Sequence, residues 1–281
     1  MSLAICICTM NRPDELRAAL QSLVDGSVLP DQIIVSDDGD GSAEAVARAF
    51  KSVLYQVGPR RGLGANRNAC IAAATTDRIA FIDDDVLVSP DFAERAAAAS
   101  LTSVTTGWEL NHSTNPARRV TPHNASVLGF QRLEPVPVRR SIVINATVFP
   151  AALFERALFD ERIRYGYEEI DIARHAAHLG WTITYDDDLH VRHFPSPTNR
   201  AGYAGELNVS RLYITRKAYD EYEGSGVKAH VFTAVAAVHH VLYAVKGRHS
   251  LRAAVDTVRR SSRMTQERRR ERQLAATRGR S

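Results

Sequence analysis

The feature that most restricts the fold is the run at residues 78–88, in which apolar residues are followed directly by Asp83, Asp84 and Asp85. A short apolar run of this kind is typical of a buried parallel strand, whose carboxyl end then opens into a site. Adjacent carboxylates raise one another's pKa unless a cation neutralises them. Their oxygen ligands suit Mg²⁺ or Mn²⁺. A metal site is one interpretation, and an acidic turn after a strand is the other.

The first part of the chain alternates between strand-like and helix-like segments. Apolar, β-branched runs predict strands at residues 3–8, 32–36 and 53–57, and helical spacing predicts helices at 14–25, 42–50 and 65–74. This order is typical of an α/β protein with a three-layer, mostly parallel sheet. Ligands bind such sheets beyond the carboxyl ends of the strands, where residues 9–12, 37–40 and 83–85 would meet. That convergence favours a ligand site over a simple turn.

The second half is less regular. We expect strands at residues 104–108, 141–149 and 181–185, and helices at 150–157 and from Glu168 onward. Residues 111–137 are polar and contain several prolines, which indicates either a substrate loop over the site or a disordered segment. From Asn208 the composition becomes helical. The predicted domains are therefore residues 1–205, which hold the site, and a helical C-terminal extension at 206–281.

The net charge of +4 is unevenly distributed. Residues 246–281 hold twelve Lys or Arg against three Asp or Glu, so the rest of the chain is net acidic. An acidic site argues against nucleic acid as a partner. The basic tail, and an apolar stripe at residues 231–245, are compatible with peripheral contact at a membrane surface through the C-terminal helices. A homodimer is a further partner that the sequence leaves open.

The chain lacks a run of about 18 uncharged apolar residues, and it enters a strand-like segment without a basic leader and cleavage site. We therefore expect a cytoplasmic protein, with the inner face of the membrane as an alternative location. Cys6, Cys8 and Cys70 are an odd number, so we expect reduced thiols that act as small core residues.

Several motifs follow one another in an order that resembles a known family. They are a Thr-x-Asn-Arg turn after the first strand (5–13), an acidic strand end (35–39), a glycine-rich segment (62–68), an Asp-x-Asp motif (81–85), Phe-Asp-Glu (159–161) and Tyr-Glu-Glu-Ile-Asp (167–171). Together they resemble the inverting nucleotide-sugar glycosyltransferases of the large family 2, which have the Rossmann-like GT-A fold. The resemblance covers residues 3–195.

The resemblance implies a role for each candidate residue. Asp85 would ligate the metal, His193 would be a further ligand, and Asp83 would lie beside the ribose or the sugar. Glu169 would be the catalytic base. The pair is Glu168-Glu169 where the family usually has Glu-Asp, so the choice between these neighbours stays open. The residues implied at the nucleotide are Thr9, Arg12, Asp38 and Arg67.

The implied function is metal-dependent, inverting transfer of a hexosyl or N-acetylhexosaminyl group from a nucleoside diphosphate to a hydroxyl or amine acceptor. The expected cofactor is Mn²⁺ or Mg²⁺. UDP is the favoured nucleotide, because a carboxylate at Asp38 suits a pyrimidine ring N–H group, and dTDP offers the same group. The acceptor would be a cell-envelope glycan or a natural product. The alternatives are a catalytically silent nucleotide-sugar-binding module and a nucleotidyltransferase.

Overall fold

The computed structural model describes residues 2–131, 139–195, 200–246 and 250–278. The chain forms two compact units. The first comprises Met1–Asn124, Leu133–Arg164 and Glu168–Thr198, and the second comprises Ala125–Arg132, Tyr165–Tyr167 and Asn199–Ser281. The second unit thus begins before the predicted boundary at residue 206. It also takes in two short segments from the middle of the chain.

The first unit is built on one nine-stranded sheet. Its strands are β1 (Leu3–Thr9), β2 (Gln32–Asp37), β3 (Val53–Val57), β4 (Arg78–Asp83), β5 (Val86–Val88), β6 (Ser103–Asn111), β7 (Arg118–Val120), β8 (Thr147–Pro150) and β9 (Thr182–His193). The order is β3-β2-β1-β4-β8-β6-β9-β5, with β7 paired to β6. β1 is parallel to both of its neighbours, β2 and β4, so the carboxyl ends of all three strands meet at one edge.

Five helices of the first unit cover the two faces of the sheet. They are α1 (Pro13–Val24), α2 (Glu44–Arg48), α3 (Leu63–Ala73), α4 (Phe92–Ala98) and α5 (Glu168–His178). Side chains alternate along β1, so Ile5 and Ile7 pack with α1, α2 and α4, whereas Cys6 and Cys8 pack with α3 and α5. The two apolar layers confirm the three-layer prediction. The three cysteines are buried and free, as expected.

The sheet differs from the sequence prediction around β8. Short 3-10 helices at Ile144–Ala146 and Ala151–Glu155 flank a four-residue strand, where the sequence predicts a strand at 141–149 and an α-helix at 150–157. Local polar contacts explain the shorter strand, because Thr147 Oγ1 donates to the carbonyl of Val143 at 2.6 Å. Within the predicted loop at 111–137 the structure contains β7, and residues 132–138 lie outside the described residues.

β9 is much longer than the predicted strand at residues 181–185 and ends at His193. Its final residues are held between β6, to which they are parallel, and β5, to which they are antiparallel. β5 begins at Val86, directly after the three aspartates. The long-range pairing of β5 with β9 therefore brings the end of β9 beside the acidic run.

The second unit consists mainly of three helices, α6 (Arg200–Lys217), α7 (Gly226–Val245) and α8 (Leu251–Arg278), with a π-helical turn (Ala218–Tyr222) after α6. Leu212, Phe232 and Ala236 form its apolar centre. Ion pairs fix α8 to α6 and to the turn: Arg260–Glu206, Arg268–Glu221 and Arg269–Asp220. The arginine-rich part of the basic tail, as far as Arg278, belongs to a helix that begins at Leu251. Within the described residues, no helix has the length and apolar character needed to cross a membrane.

Candidate active site

Asp84 is the most buried of the three consecutive aspartates, with 4% of its surface exposed. Its carboxylate accepts hydrogen bonds from Thr9 Oγ1 at 2.8 Å and Arg12 Nη1 at 2.9 Å. Burial raises the pKa of Asp84 to about 7, against the opposing effects of Arg12 and Thr9. The sequence gives this residue no role beyond a turn. In the structure its carboxylate connects the end of β1 and the following turn to the end of β4 through these hydrogen bonds. It thereby orients Thr9 and Arg12, which are both predicted at the nucleotide.

Asp83, Asp85 and His193 form a cluster in which one ligand atom from each residue lies within 4.8 Å of the others. His193 Nε2 is 3.2 Å from Asp85 Oδ1. The backbone holds this approach, because Val86 pairs with His193 and the amide of Phe194 donates to the carbonyl of Asp85 at 2.9 Å. The cluster joins the three residues that the sequence analysis placed at the metal or beside the donor.

A second layer of polar side chains supports the cluster. Glu109 on β6 lies with Oε1 3.1 Å from His193 Nδ1, and its Oε2 accepts from Asn145 Nδ2 at 3.2 Å. Asn145 Oδ1 in turn accepts from the backbone amide of Asp83 at 2.9 Å. When Nδ1 of His193 carries the proton and donates a hydrogen bond to Glu109, Nε2 can ligate a metal. This is the usual carboxylate–histidine–metal arrangement. The sequence analysis identified neither Glu109 nor Asn145.

The pKa values of His193 and Glu109 reflect the negative charge around His193. Burial lowers the pKa of His193, but the hydrogen bonds to Asp85 and Glu109 outweigh it and raise the pKa to about 10. Burial raises the pKa of Glu109, yet the hydrogen bond and charge of His193 hold it below its usual value. A proton on His193 therefore neutralises carboxylates that a divalent cation would otherwise neutralise. Two carboxylates and one imidazole nitrogen fit Mn²⁺ as a donor set.

Arg67 links the metal cluster to the first turn of α5. Its Nη2 is 3.2 Å from Asp83 Oδ1, and its Nη1 is 3.1 Å from Glu168 Oε1. The side chain is buried, and its guanidinium lies over the rings of Phe81 and Phe159. Burial lowers the pKa of Arg67, but the charges of Glu168 and Asp83 raise it overall. The described contacts of Arg67 are thus with protein groups, and its predicted contact with the nucleotide stays a prediction.

Glu168 and Glu169 differ in their surroundings. Glu168 is buried with Oε1 held by Arg67, while its Oε2 makes no hydrogen bond with the described residues. Glu169 is half-buried. Burial and the neighbouring charge of Glu168 raise the pKa of Glu169 above the usual range of a glutamate. A carboxylate with a raised pKa is better matched to accept a proton near neutral pH.

The end of β2 presents the remaining candidate, Asp38, at the same edge of the sheet. Its Oδ1 accepts from the backbone amide of Arg60 at 2.8 Å. A Cβ at Gly58 would lie 2.3 Å from Asp38 Oδ1, so a larger residue at this position would displace the Asp38 carboxylate. Asp37 is more deeply buried and accepts from the hydroxyl of Tyr55 at 3.1 Å. A nucleobase contact for Asp38 stays a prediction, as do nucleotide contacts for Thr9 and Arg12.

Comparison with known proteins defines the class. Residues 4–161 match the family model described as Glycosyl transferase family 2. The match covers more than half of the chain, and the protein belongs to this family. Among individual relatives, Succinoglycan biosynthesis protein ExoM of Rhizobium meliloti (strain 1021) is 29% identical over 220 residues, which are 71% of this chain and 69% of that protein.

Solved structures confirm the GT-A fold. GalNAc-T7 with UDP, GalNAc and Mn²⁺ matches with a TM-score of 0.65 at 15% identity, over 79% of this chain and 49% of the other. S. aureus TarS 1-349 with UDP-GlcNAc gives 0.60 at 14% identity, over 87% and 73%. PcManGT from Pyrobaculum calidifontis with GDP-Man and Mn²⁺ gives 0.56 at 12% identity, over 94% and 84%. The chain thus spans about half the length of GalNAc-T7.

Proposed function

We propose that this protein is a metal-dependent, inverting glycosyltransferase that moves a sugar from a nucleoside diphosphate to a hydroxyl or amine group. The observation that carries the proposal is the convergence of Asp83, Asp85 and His193 at the carboxyl edge of the sheet. Arg67 bridges this cluster to Glu168, so the helix that bears Glu169 begins beside the same cluster. A cation site and a proton acceptor are the two groups that this reaction requires.

The residues that would hold the metal are Asp85 and His193, with Asp83 beside the donor. The nitrogen ligand favours Mn²⁺ over Mg²⁺, because Mg²⁺ in proteins is bound through oxygen. When bound, the ion supplies Lewis-acid stabilisation of the leaving diphosphate, worth several kcal/mol. Two of the solved structures with the same fold contain Mn²⁺, which supports this choice.

The reaction is a single displacement at the anomeric carbon. The acceptor oxygen or nitrogen forms a bond to this carbon from the face opposite the diphosphate. The bond from the carbon to the phosphate oxygen breaks, and the diphosphate leaves with the electron pair. Glu169 takes the acceptor proton, a contribution of roughly 10²- to 10⁴-fold. We assign this role to Glu169 because Glu168 Oε1 is held by Arg67, whereas Glu169 is more exposed and has a raised pKa.

UDP is the favoured nucleotide and dTDP is the alternative, with Asp38 accepting from the ring N–H of the base. The UDP and UDP-GlcNAc present in two structures of this fold support a UDP-sugar, although a third contains GDP-Man. A glycan acceptor is favoured over a natural product, because the relative ExoM is named for succinoglycan biosynthesis. The family match disfavours a nucleotidyltransferase, whereas a catalytically silent member of the family is the rival that an experiment must exclude.

The test uses the purified protein with UDP-, dTDP- and GDP-sugars, each with and without Mn²⁺, followed by proton NMR. Water serves as a slow acceptor, so the acceptor need not be known. We expect one nucleotide class to be consumed, the free sugar to appear with inverted anomeric configuration, and EDTA to stop the reaction. Binding without release of nucleoside diphosphate would indicate the silent module. Retention of configuration would contradict single displacement.

A further inference from the structure

The outer face of α7 is an apolar ridge along the whole helix. It consists of valine and leucine residues that are 44% to 77% exposed: Val227, Val231, Val235, Val238, Val241, Leu242 and Val245. Their spacing places them on one side of the helix, and the opposite side carries the buried Ala229, Phe232 and Ala236. A helix of this length is about 30 Å long. An exposed apolar surface of this extent is typical of an interaction site.

The outer face of α8 carries a line of arginines. Arg252, Arg259, Arg263 and Arg270 are spaced by seven, four and seven residues, so they fall on one side of the helix, and all four are exposed. None of the four forms an ion pair with a carboxylate among the described residues. Four further arginines of α8 behave differently, since Arg260, Arg268, Arg269 and Arg272 pair with acids of α6, of the π-helical turn or of α8 itself.

The apolar ridge of α7 and the arginine line of α8 each lie on the side of their own helix that is opposite its buried residues. α7 meets α6 through Phe232 and Ala236, which contact Leu212, and through Thr233, which accepts from Arg216. α8 meets α6 through Arg260 and Glu206. The residues of α8 opposite the arginine line, such as Ser261, are buried. α7 and α8 are neighbours, because Val258 of α8 packs against the apolar centre that includes Phe232 and Ala236 of α7, so the two exposed surfaces belong to adjacent helices.

We propose that these two surfaces, the apolar ridge of α7 and the arginine line of α8, together form a face that docks on an anionic lipid bilayer. Charge complementarity selects the occupant, because α8 has nine arginines against only three acidic residues, Asp256, Glu267 and Glu271. A bilayer with acidic headgroups satisfies both halves of the face at once. Two copies of this chain joined through the face would instead bury the arginines in an interface that offers them no carboxylate of the face itself, which costs free energy. The long arginine side chains reach the headgroups while the valines enter the acyl boundary.

The test measures flotation of the full chain with vesicles of phosphatidylcholine alone, or of phosphatidylcholine and phosphatidylglycerol in equal parts. We expect binding only to the vesicles that contain phosphatidylglycerol, with weaker binding at high salt. Changing Arg252, Arg259, Arg263 and Arg270 together to Gln should weaken binding at least about 10²-fold. Val238→Asp should weaken it about tenfold or more.

Val57→Asp is the matched control, because Val57 lies on β3 of the first unit and is also well exposed, at 67%. It should leave vesicle binding unchanged. All three variants should keep the circular dichroism spectrum of the wild type and its rate of nucleotide-sugar hydrolysis in solution. Failure of the membrane proposal is therefore distinct from failure of the proposed function. The proposal is overturned if the protein does not bind the acidic vesicles. It is equally overturned if the quadruple arginine variant and Val238→Asp both bind the vesicles as tightly as the wild type does. A third contradicting result is a dimer in sedimentation that Val238→Asp dissociates, together with no binding of the wild type to vesicles.

Discussion

The candidate site has two sides that neutralise clustered carboxylates in different ways. On the metal side, formed by Asp83, Asp85, His193 and Glu109, a histidine that can lose its proton lies between Asp85 and Glu109. Arg12 also pairs with Asp85 on this side, and Arg67 pairs with Asp83. On the base side, formed by Arg67, Glu168 and Glu169, the cation is a buried arginine, which keeps its charge at any relevant pH. The metal side can therefore exchange a proton for a divalent ion, whereas the base side is fixed.

This difference assigns separate tasks to the two sides. A titratable histidine between Asp85 and Glu109 makes metal binding depend on pH, because the metal competes with a proton at Nε2. A permanent cation at Arg67 holds Glu168 and leaves Glu169 as the carboxylate with a raised pKa. The following predictions test this division, beginning with the largest expected effect.

Glu169→Gln should lower kcat by roughly 10²- to 10⁴-fold with little change in KM for the donor. The pH dependence gives a second readout. Only the deprotonated carboxylate accepts a proton, and its pKa is raised by burial and by Glu168, so wild-type activity should rise with pH through a range above that of an ordinary glutamate. The variant should lose this rising limb. Glu168→Gln is the comparison, and a larger loss in that variant would reassign the base to Glu168.

Arg67→Met should lower the free energy of unfolding by about 3–5 kcal/mol, because it leaves Glu168 and Asp83 without their buried partner. Arg61→Met is the matched control. Arg61 pairs with Glu161 at 2.7 Å, but its side chain is 64% exposed, so its loss should cost about 0–1 kcal/mol. Urea denaturation of both variants without metal gives the comparison. Equal effects would show that Arg67 does not hold the base side together.

Glu109→Gln should weaken Mn²⁺ binding by about 10- to 100-fold, since Glu109 contacts Nδ1 of His193 and so orients the ring whose Nε2 would ligate the metal. Excess Mn²⁺ should restore kcat, because Glu109 makes no proposed contact with the substrate. The readout is activity as a function of Mn²⁺ concentration. A loss of kcat that saturating Mn²⁺ does not restore would assign Glu109 a role beyond positioning.

The sequence predicts the parts of the site that depend on local order. The apolar run before Asp83 and the alternation of strands and helices suffice to place Thr9, Arg12, Asp38 and the aspartates at one edge of the sheet. The rule that ligands bind beyond the carboxyl ends of parallel strands then identifies this edge as the site. His193 and Glu169 entered only through the family resemblance. The family match covers residues 4–161, so both residues lie beyond it, and the match to a solved structure covers 79% of the chain.

The missed residues depend on long-range register. Glu109 faces His193 because β6 and β9 pair in parallel, with Glu109 level with Val191 and Asn111 level with His193, and no local pattern encodes that alignment. Asn145 sits in a 3-10 turn where the sequence predicts an uninterrupted strand. The buried contact of Asp84 with Thr9 likewise depends on the pairing of β1 with β4. These contacts form only when distant strands come together.

The most direct test of the account is the binding of Mn²⁺ in the presence of UDP, followed by loss of the free-ion signal in electron paramagnetic resonance. We predict that the wild-type protein binds one Mn²⁺ ion and that binding tightens as the pH rises and His193 loses its proton. Asp85→Asn should abolish this binding, whereas Asp91→Asn, at the N-terminal end of α4 where Asp91 pairs with Arg95, should not. Binding by Asp85→Asn that equals that of the wild type would contradict the assignment of the metal side.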